Sequence, residues 1–260
     1  MKYSVQQLRP AKKTALTAIA VAGLVMVNAG VAFAQERGIE WSYRGANGPK
    51  HWANIDQENL TCADGERQSP INLRKSRQKS TQQVKLDWQP GKMVVANDGR
   101  KLWVDVPEGS FTHFGDQIYH LERVEFRHRS EHTIGGQRRP MEAQFIHNQV
   151  DNKQLIVGVQ FTISRHNAAL GKIWQVAPRR IFNRVSQRSI ELDKLIPLKA
   201  DYYQYEGSLP FPPCTENVTW VVFDKPISIS EKQLKQMKRV FRENYRPLQK
   251  ANRRKVQFGK

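Results

Sequence analysis

A chain of 260 residues, 39% of them hydrophobic, is long enough for one large core, and no linker-like stretch or short internal repeat divides it. Two cysteines limit disulfides to a single bridge. The formal net charge of +18 suits polyanion partners (nucleic acid, acidic polysaccharide, lipid head groups), or serves solubility and adaptation to a compartment.

In chain order, Lys2, Arg9, Lys12 and Lys13 form a basic start, Ala15 to Val27 an apolar run, and Ala32-Phe33-Ala34 a small-x-small cleavage site. That order reads as a secretory signal peptide over residues 1–34, with a folded domain over 35–260. The run is shorter than the ~20 apolar residues a spanning helix needs, so no membrane span is expected after cleavage. The expected location is exported, periplasmic or secreted. Removing the four cations of the leader takes the charge from +18 to +14. Cys62 and Cys214 both fall in the exported part, where disulfides persist; they form one bridge closing a long loop, or stay as two buried thiols.

Strand signals dominate the rest of the chain. Arg74 to Gln83 is polar and reads as a loop, and Gln83 to Trp88, Met93 to Ala96, Leu102 to Val106 and Tyr119 to Arg127 alternate. Turn residues separate them at Asn97-Asp98-Gly99, Pro107-Glu108-Gly109 and Gly135-Gly136. The longer apolar run Gln154 to Ile163 suits a central strand buried on both faces. Helical signal is sparse: Glu191 to Ile196 predicts a short helix stopped by Pro197, and Ser230 to Phe241 a helix with Ser230 as N-cap and Leu234, Met237, Val240 and Phe241 on one face. The expectation is mainly β, a large sheet with short peripheral helices.

Specific residues then take over from pattern. They are Trp41-Ser42-Tyr43, Asn47-Gly48-Pro49 and Trp52; Gln68-Ser69-Pro70-Ile71-Asn72 after Cys62; Ser130-Glu131-His132-Thr133 and Met141-Glu142; Gly207-Ser208-Leu209, Pro212-Pro213-Cys214, Glu216 and Trp220; and Asn244-Tyr245-Arg246-Pro247 with Gln249. Together they resemble, in order and spacing, the α-class carbonic anhydrases from Trp41 to about Val256. The resemblance implies a single domain built on a twisted, mostly antiparallel sheet of about ten strands, and a Cys62–Cys214 disulfide as in many secreted members.

The same resemblance exposes departures. The family holds zinc with three histidines on two neighbouring strands and leaves a fourth position for water. Counting from Ser130 and from Met141-Glu142, those positions are Glu125, Arg127 and Gln144 here. Arginine is permanently cationic and has no lone pair to give, so a zinc hydroxide site is not expected and zinc is expected to be absent. Pro210 stands where the family has the threonine that orients the zinc-bound water, Phe211 follows it, and Arg100 takes the place of the proton-shuttle histidine. Glu131 and Glu142 match carboxylates that support the zinc ligands from behind. Without zinc, burying them unpaired costs several kcal/mol, and Arg127 is the expected counter-charge, filling the old site with a salt-bridged plug. Among His113, His120, His128, His132, His147 and His166, His128 is the tempting substitute ligand, one residue after Arg127, but on a regular strand it faces away and only a bulge would bring it inward; His132 and His147 fall on positions that the resemblance makes structural.

The reading is therefore a catalytically silent binding protein for acidic glycans or another envelope polyanion, with nucleic acid the least expected one for an exported protein. Candidate contacts are Arg74, Lys75, Arg77 and Lys79; Arg127, His128 and Arg129; Arg138 and Arg139; Arg179 and Arg180; and the tail Arg253-Arg254-Lys255, with Trp103, Tyr202, Tyr203 and Tyr205 to stack on sugars. The alternatives are an active carbonic anhydrase with an atypical metal site, and an envelope scaffold, which an exposed apolar patch would favour.

Overall fold

The computed structural model describes residues 41–149, 151, 153–188, 190–240 and 242–260; the expected signal segment lies outside them. Its strands, in chain order, are β1 Asn72–Leu73, β2 Lys79–Ser80, β3 Val84–Asp87, β4 Lys92–Asn97, β5 Leu102–Asp105, β6 Phe111–Phe114, β7 Gln117–Arg127 and β8 Thr133–Ile134. They continue with β9 Gln137–Arg138, β10 Met141–Asn148, β11 Gln154–Ile163, β12 Asn183–Arg188, β13 Tyr202–Ser208, β14 Glu216–Phe223, β15 Ile227–Ile229 and β16 Gln257–Gly259. The helices are α1 Thr61–Asp64, α2 Ala168–Val176 and α3 Glu231–Val240. Among the described residues one sheet runs in the order β12-β4-β5-β7-β10-β11-β14-β13-β16-β2, with β3, β6 and β15 pairing off that path. Most neighbours are antiparallel; β11 runs parallel to β14 and β15, and β16 parallel to β2.

Successive residues on a strand face opposite sides, and the central strands use both sides. On β10, Phe145 enters one hydrophobic core and Ile146 the other; on β11, Val157 and Ile156 divide the same way. The first core holds Val124, Phe126, Phe145, Val159 and Phe161, closed by Leu170 and Ile173 of α2 and by Leu234 and Met237 of α3. The second holds Trp52, Ile71, Ile156, Tyr203, Tyr205 and Trp220. β11 is central and buried over most of its length, as its continuous apolar run predicts.

Three local expectations change. Glu191 to Ile196 forms only a 3-10 turn at Leu192–Leu195, too short before Pro197 to complete an α-helical ladder. The polar stretch Arg74 to Gln83 contains the short strand β2, because β16 offers it a sheet edge. Helix α2 was not expected; Asn167 caps it by accepting from Leu170 N at 3.1 Å, and Leu170, Ile173 and Trp174 supply its buried stripe. In α3, Ser230 Oγ accepts from Gln233 N at 3.3 Å while Gln233 Oε1 accepts from Ser230 N at 3.2 Å, a reciprocal capping box.

Candidate functional site

The site grows out of the pairing of β7 with β10. Their register sets Glu125 opposite Gln144 and Arg127 opposite Glu142, and the next pairing sets Glu142 opposite Gln160 on β11. Strand alternation puts these side chains on one face, while Val124, Phe126, Ala143 and Phe145 go to the core on the other. Gly158 lies across from Gln144, and a Cβ there would meet Val222 Cγ2 at 3.2 Å and Glu142 Oε1 at 3.4 Å, so glycine gives the carboxylate its room.

The cluster is polar and sealed: Glu125, Arg127, Glu131, Glu142 and Gln144 are all 0% exposed. Arg127 Nη2 donates to Glu125 Oε2 at 2.6 Å, and Arg127 Nε lies 3.5 Å from Glu131 Oε1. Glu125 also accepts from Lys101 Nζ at 2.7 Å and Arg123 Nε at 2.8 Å, so three cations share one carboxylate. Gln144 Nε2 donates to Glu131 Oε2 and Glu142 Oε1, both at 3.1 Å. The second carboxylate is tied to His132: His132 N donates to Glu142 Oε2 at 3.1 Å, and Nδ1 lies 2.9 Å from Oε1. His132 Nε2 continues the chain to Tyr205 OH at 2.7 Å, and that hydroxyl donates to Ser69 Oγ at 2.9 Å. Arg246 N donates to Glu131 Oε1 at 3.2 Å.

The three carboxylates hold protons differently. For Glu125 burial works to raise the pKa, but Lys101, Arg127 and Arg123 outweigh it and hold the carboxylate far below its ordinary range. For Glu131 burial wins, helped by Glu142 and opposed by Arg127, and the pKa is pushed up to about 7. Burial also opposes ionisation of Glu142, but the charge and hydrogen bonds of His132, with Gln144, hold it below its usual value. Burial opposes the Arg127 charge too; Glu125 and Glu131 restore it, and the guanidinium stays protonated.

An aromatic wall closes the cluster. Phe211 stacks on Trp41 with centroids 6.3 Å apart, and Arg127 Cζ and Lys101 Nζ lie 5.6 and 4.9 Å from the Phe211 ring centroid. Pro210 is buried beside it. Tyr43, edge-on to Trp41, has its ring centroid 6.0 Å from Arg127 Cζ. Arg100 stays at the margin, 4.7 Å over Trp41 with Nη2 3.5 Å from Asp98 Oδ2. Tyr43 also lines a cleft of about 450 Å³ shared with Arg44, Lys50, His51, Glu243 and Tyr245. A larger cavity of about 840 Å³, over Leu86, Trp88, Val106 and Leu192, contains none of these residues.

Lys101, Arg123 and Tyr43 are members of the cluster that sequence reasoning missed as such. Arg123 was within reach, because it precedes Glu125 by two on the same strand and so shares its face. Lys101 carried no signal; the turn before β5 delivers it.

The remaining candidates disperse. Arg127 is no part of a surface cluster with His128 and Arg129, because it is buried against Glu125 and Glu131; of these three only Arg129 is exposed. Tyr202, Tyr203 and Tyr205 are not available to stack on sugars, being buried strand residues with bonded hydroxyls, and Trp103 Nε1 donates to Asp105. Arg138 lies over Tyr245 at 4.5 Å and donates to the carbonyls of Ser130 and Glu131, and Arg139 is half-buried beside it. Arg74, Lys75, Arg77 and Lys79 are exposed around β2, with Lys75 Nζ 3.7 Å from Asp224 Oδ2. Arg179 and Arg180 are exposed on the loop into β12. β2 and β12 are opposite ends of the sheet, nine strand-to-strand steps apart, on the order of 40 Å measured along it at ~4.8 Å per step. The Arg74–Lys79 and Arg179–Arg180 clusters therefore lie at opposite edges of the sheet, while the tail Arg253-Arg254-Lys255 leads into β16 beside the first of them. His147 lies between Thr112 Oγ1 at 2.9 Å and Leu155 O at 3.1 Å, and burial pushes its pKa down to about 4, which keeps it neutral.

Comparison with known proteins agrees with the fold. Residues 47–260 match the family model for eukaryotic-type carbonic anhydrase. A carbonic anhydrase of Neisseria gonorrhoeae is 33% identical over 83% of this chain and 86% of its own, and dioscorin DB3L of Dioscorea polystachya is 31% identical over 82% of each. The solved α-carbonic anhydrase of Thermovibrio ammonificans, in complex with sulfanilamide, superposes with a TM-score of 0.80 at 33% identity, covering 84% of this chain and 98% of that one. The chain belongs to the α-type carbonic anhydrase family.

Proposed function

We propose that this member of the family does not hydrate CO2 through zinc and acts as an exported binding protein for acidic polymers, acidic glycans first among them. One observation carries the first half: Arg127, fully buried, occupies the centre of the cluster and is bonded to Glu125. By the spacing of the resemblance, Glu125, Arg127 and Gln144 stand where the family places three histidines. That donor set does not fit zinc. Glu125 already serves three cations, Arg127 brings a positive charge and no lone pair, and Gln144 offers only a neutral amide oxygen. The similar relative named dioscorin supports a family wider than the enzyme's name. The charge of +14 left without the leader (18 − 4) and the exposed basic residues of both sheet edges support the second half. The Cys62–Cys214 disulfide is compatible with export.

Active CO2 hydration is the second reading, favoured by the names of relatives from Neisseria gonorrhoeae and Pectobacterium carotovorum. Zinc titration separates the two. The unmodified protein is expected to bind no stoichiometric zinc, while the triple variant Glu125→His, Arg127→His, Gln144→His gains zinc but little activity, because Pro210 and Phe211 still misplace the attacking water. Stoichiometric zinc on the unmodified protein would favour the enzyme.

A further inference from the structure

Between Pro178 and Ile190 the chain carries four arginines and no acidic residue. This segment leads into and forms β12, which among the described residues pairs only with β4 and is an edge of the sheet. At its head stand the two most exposed large apolar side chains among the described residues, Ile181 at 58% and Phe182 at 72%. Neither is loosely placed. Asn97 Nδ2 donates to Pro178 O at 2.8 Å and Phe182 N donates to Asn97 O at 2.7 Å, so Asn97 clamps both ends of the loop. Phe182 has φ +58°, a left-handed conformation that is costly for a bulky side chain. The fold thus holds an aromatic ring outward at an energetic cost, on a segment whose neighbours in sequence Arg179, Arg180 and Arg184 are exposed.

Charge alone recruits a soluble polymer and needs no exposed Phe or Ile; apolar area alone marks a protein contact and needs no flanking arginines. A bilayer with anionic head groups uses both, because guanidinium groups bridge phosphates while apolar tips enter the boundary with the acyl chains. Arg184 is ion-paired with Asp105, whereas no ion pair among the described residues involves Arg179 or Arg180. We propose that the Arg179–Arg184 edge is a docking surface for an anionic phospholipid bilayer, with Ile181 and Phe182 as the inserting tip and Arg179 and Arg180 as the phosphate contacts. This proposal uses residues apart from the buried cluster and stands whether or not that cluster binds zinc.

The test is sedimentation of the purified protein with vesicles of phosphatidylglycerol in phosphatidylcholine, and with phosphatidylcholine alone. The unmodified protein should bind the anionic vesicles and not the neutral ones. Arg179→Gln with Arg180→Gln should weaken binding about fivefold per charge removed. Ile181→Ser with Phe182→Asn, where asparagine tolerates the left-handed backbone, should weaken it by roughly tenfold or more and leave heparin affinity unchanged. Phe182→Trp should add emission that lipids brominated in their acyl chains quench. Undiminished vesicle binding by the Ile181→Ser, Phe182→Asn variant, or an equal loss on heparin, would overturn the lipid assignment; so would unquenched emission from the Phe182→Trp variant, which would leave an acidic protein as the better fit.

Discussion

Arg127 and Glu131 decide the chemistry of the cluster between them. Removing the arginine leaves Glu125 with Lys101 and Arg123 alone and leaves Glu131 without its facing cation. Arg127→Ala should therefore destabilise by about 3–5 kcal/mol, against about 0.5 kcal/mol or less for the exposed Arg77→Ala, measured by denaturant unfolding. Equal effects would mean the buried ion pair is not what holds the site. Glu131 gives a pH signature. Its folded pKa of about 7 exceeds the ordinary 4.5, so the folded state retains a proton that the unfolded chain has released. Its contribution is fully present below the unfolded value and is lost as pH rises through the folded one. Stability should fall between pH 4.5 and 7 on this account, by on the order of a few kcal/mol, and Glu131→Gln should flatten that slope. Glu125 has the opposite sign: its depressed pKa contributes stability at neutral pH that disappears in acid. A slope unchanged in Glu131→Gln would place the titrating group elsewhere.

At the scale of elements, two features fix the site: the β7–β10 register and the bridge between α1 and the segment joining β13 to β14. A one-residue slip of β10 would move Glu142 and Gln144 to the opposite core, so register and site are one decision. Cys62 and Cys214 are bonded across 152 residues, with Cα atoms 5.1 Å apart. Arg246 Nη2 donates to Cys62 O and Gln68 Nε2 to Cys214 O, which ties the C-terminal segment to the same corner. Replacing both cysteines with alanine should cost about 2–5 kcal/mol and lower Tm; an unchanged Tm would assign the corner's stability to Arg246 instead. The sheet was legible because its strands alternate and its longest apolar run lies at its centre. The convergence of Glu125, Arg127 and Gln144 was legible from alternation plus the spacing of the motifs. The features that were not legible came from tertiary pairing. β2 exists only because β16 lies beside it, Lys101 reaches Glu125 through a turn, and the tyrosines of β13 are buried by neighbours that no local pattern reveals.

For the whole molecule the relevant quantity is where the positive charge sits. Clusters at opposite ends of the sheet cannot grip one short acidic chain together, so they should act independently on a long one. On an acidic-glycan column, Arg74→Glu with Arg77→Glu and Arg179→Glu with Arg180→Glu should each lower the eluting salt, and their effects should add. Binding should collapse as the screening length shortens from ~10 Å at 0.1 M to ~3 Å at 1 M. Elution with a neutral-glycan control at low salt would remove the polymer reading and leave the scaffold. Whether the buried Arg127 has displaced the family's metal chemistry is read by zinc content together with the CO2-hydration rate of the unmodified protein. No stoichiometric zinc and hydration no faster than buffer are expected; zinc at one per chain with rapid hydration would mean that the metal chemistry survives.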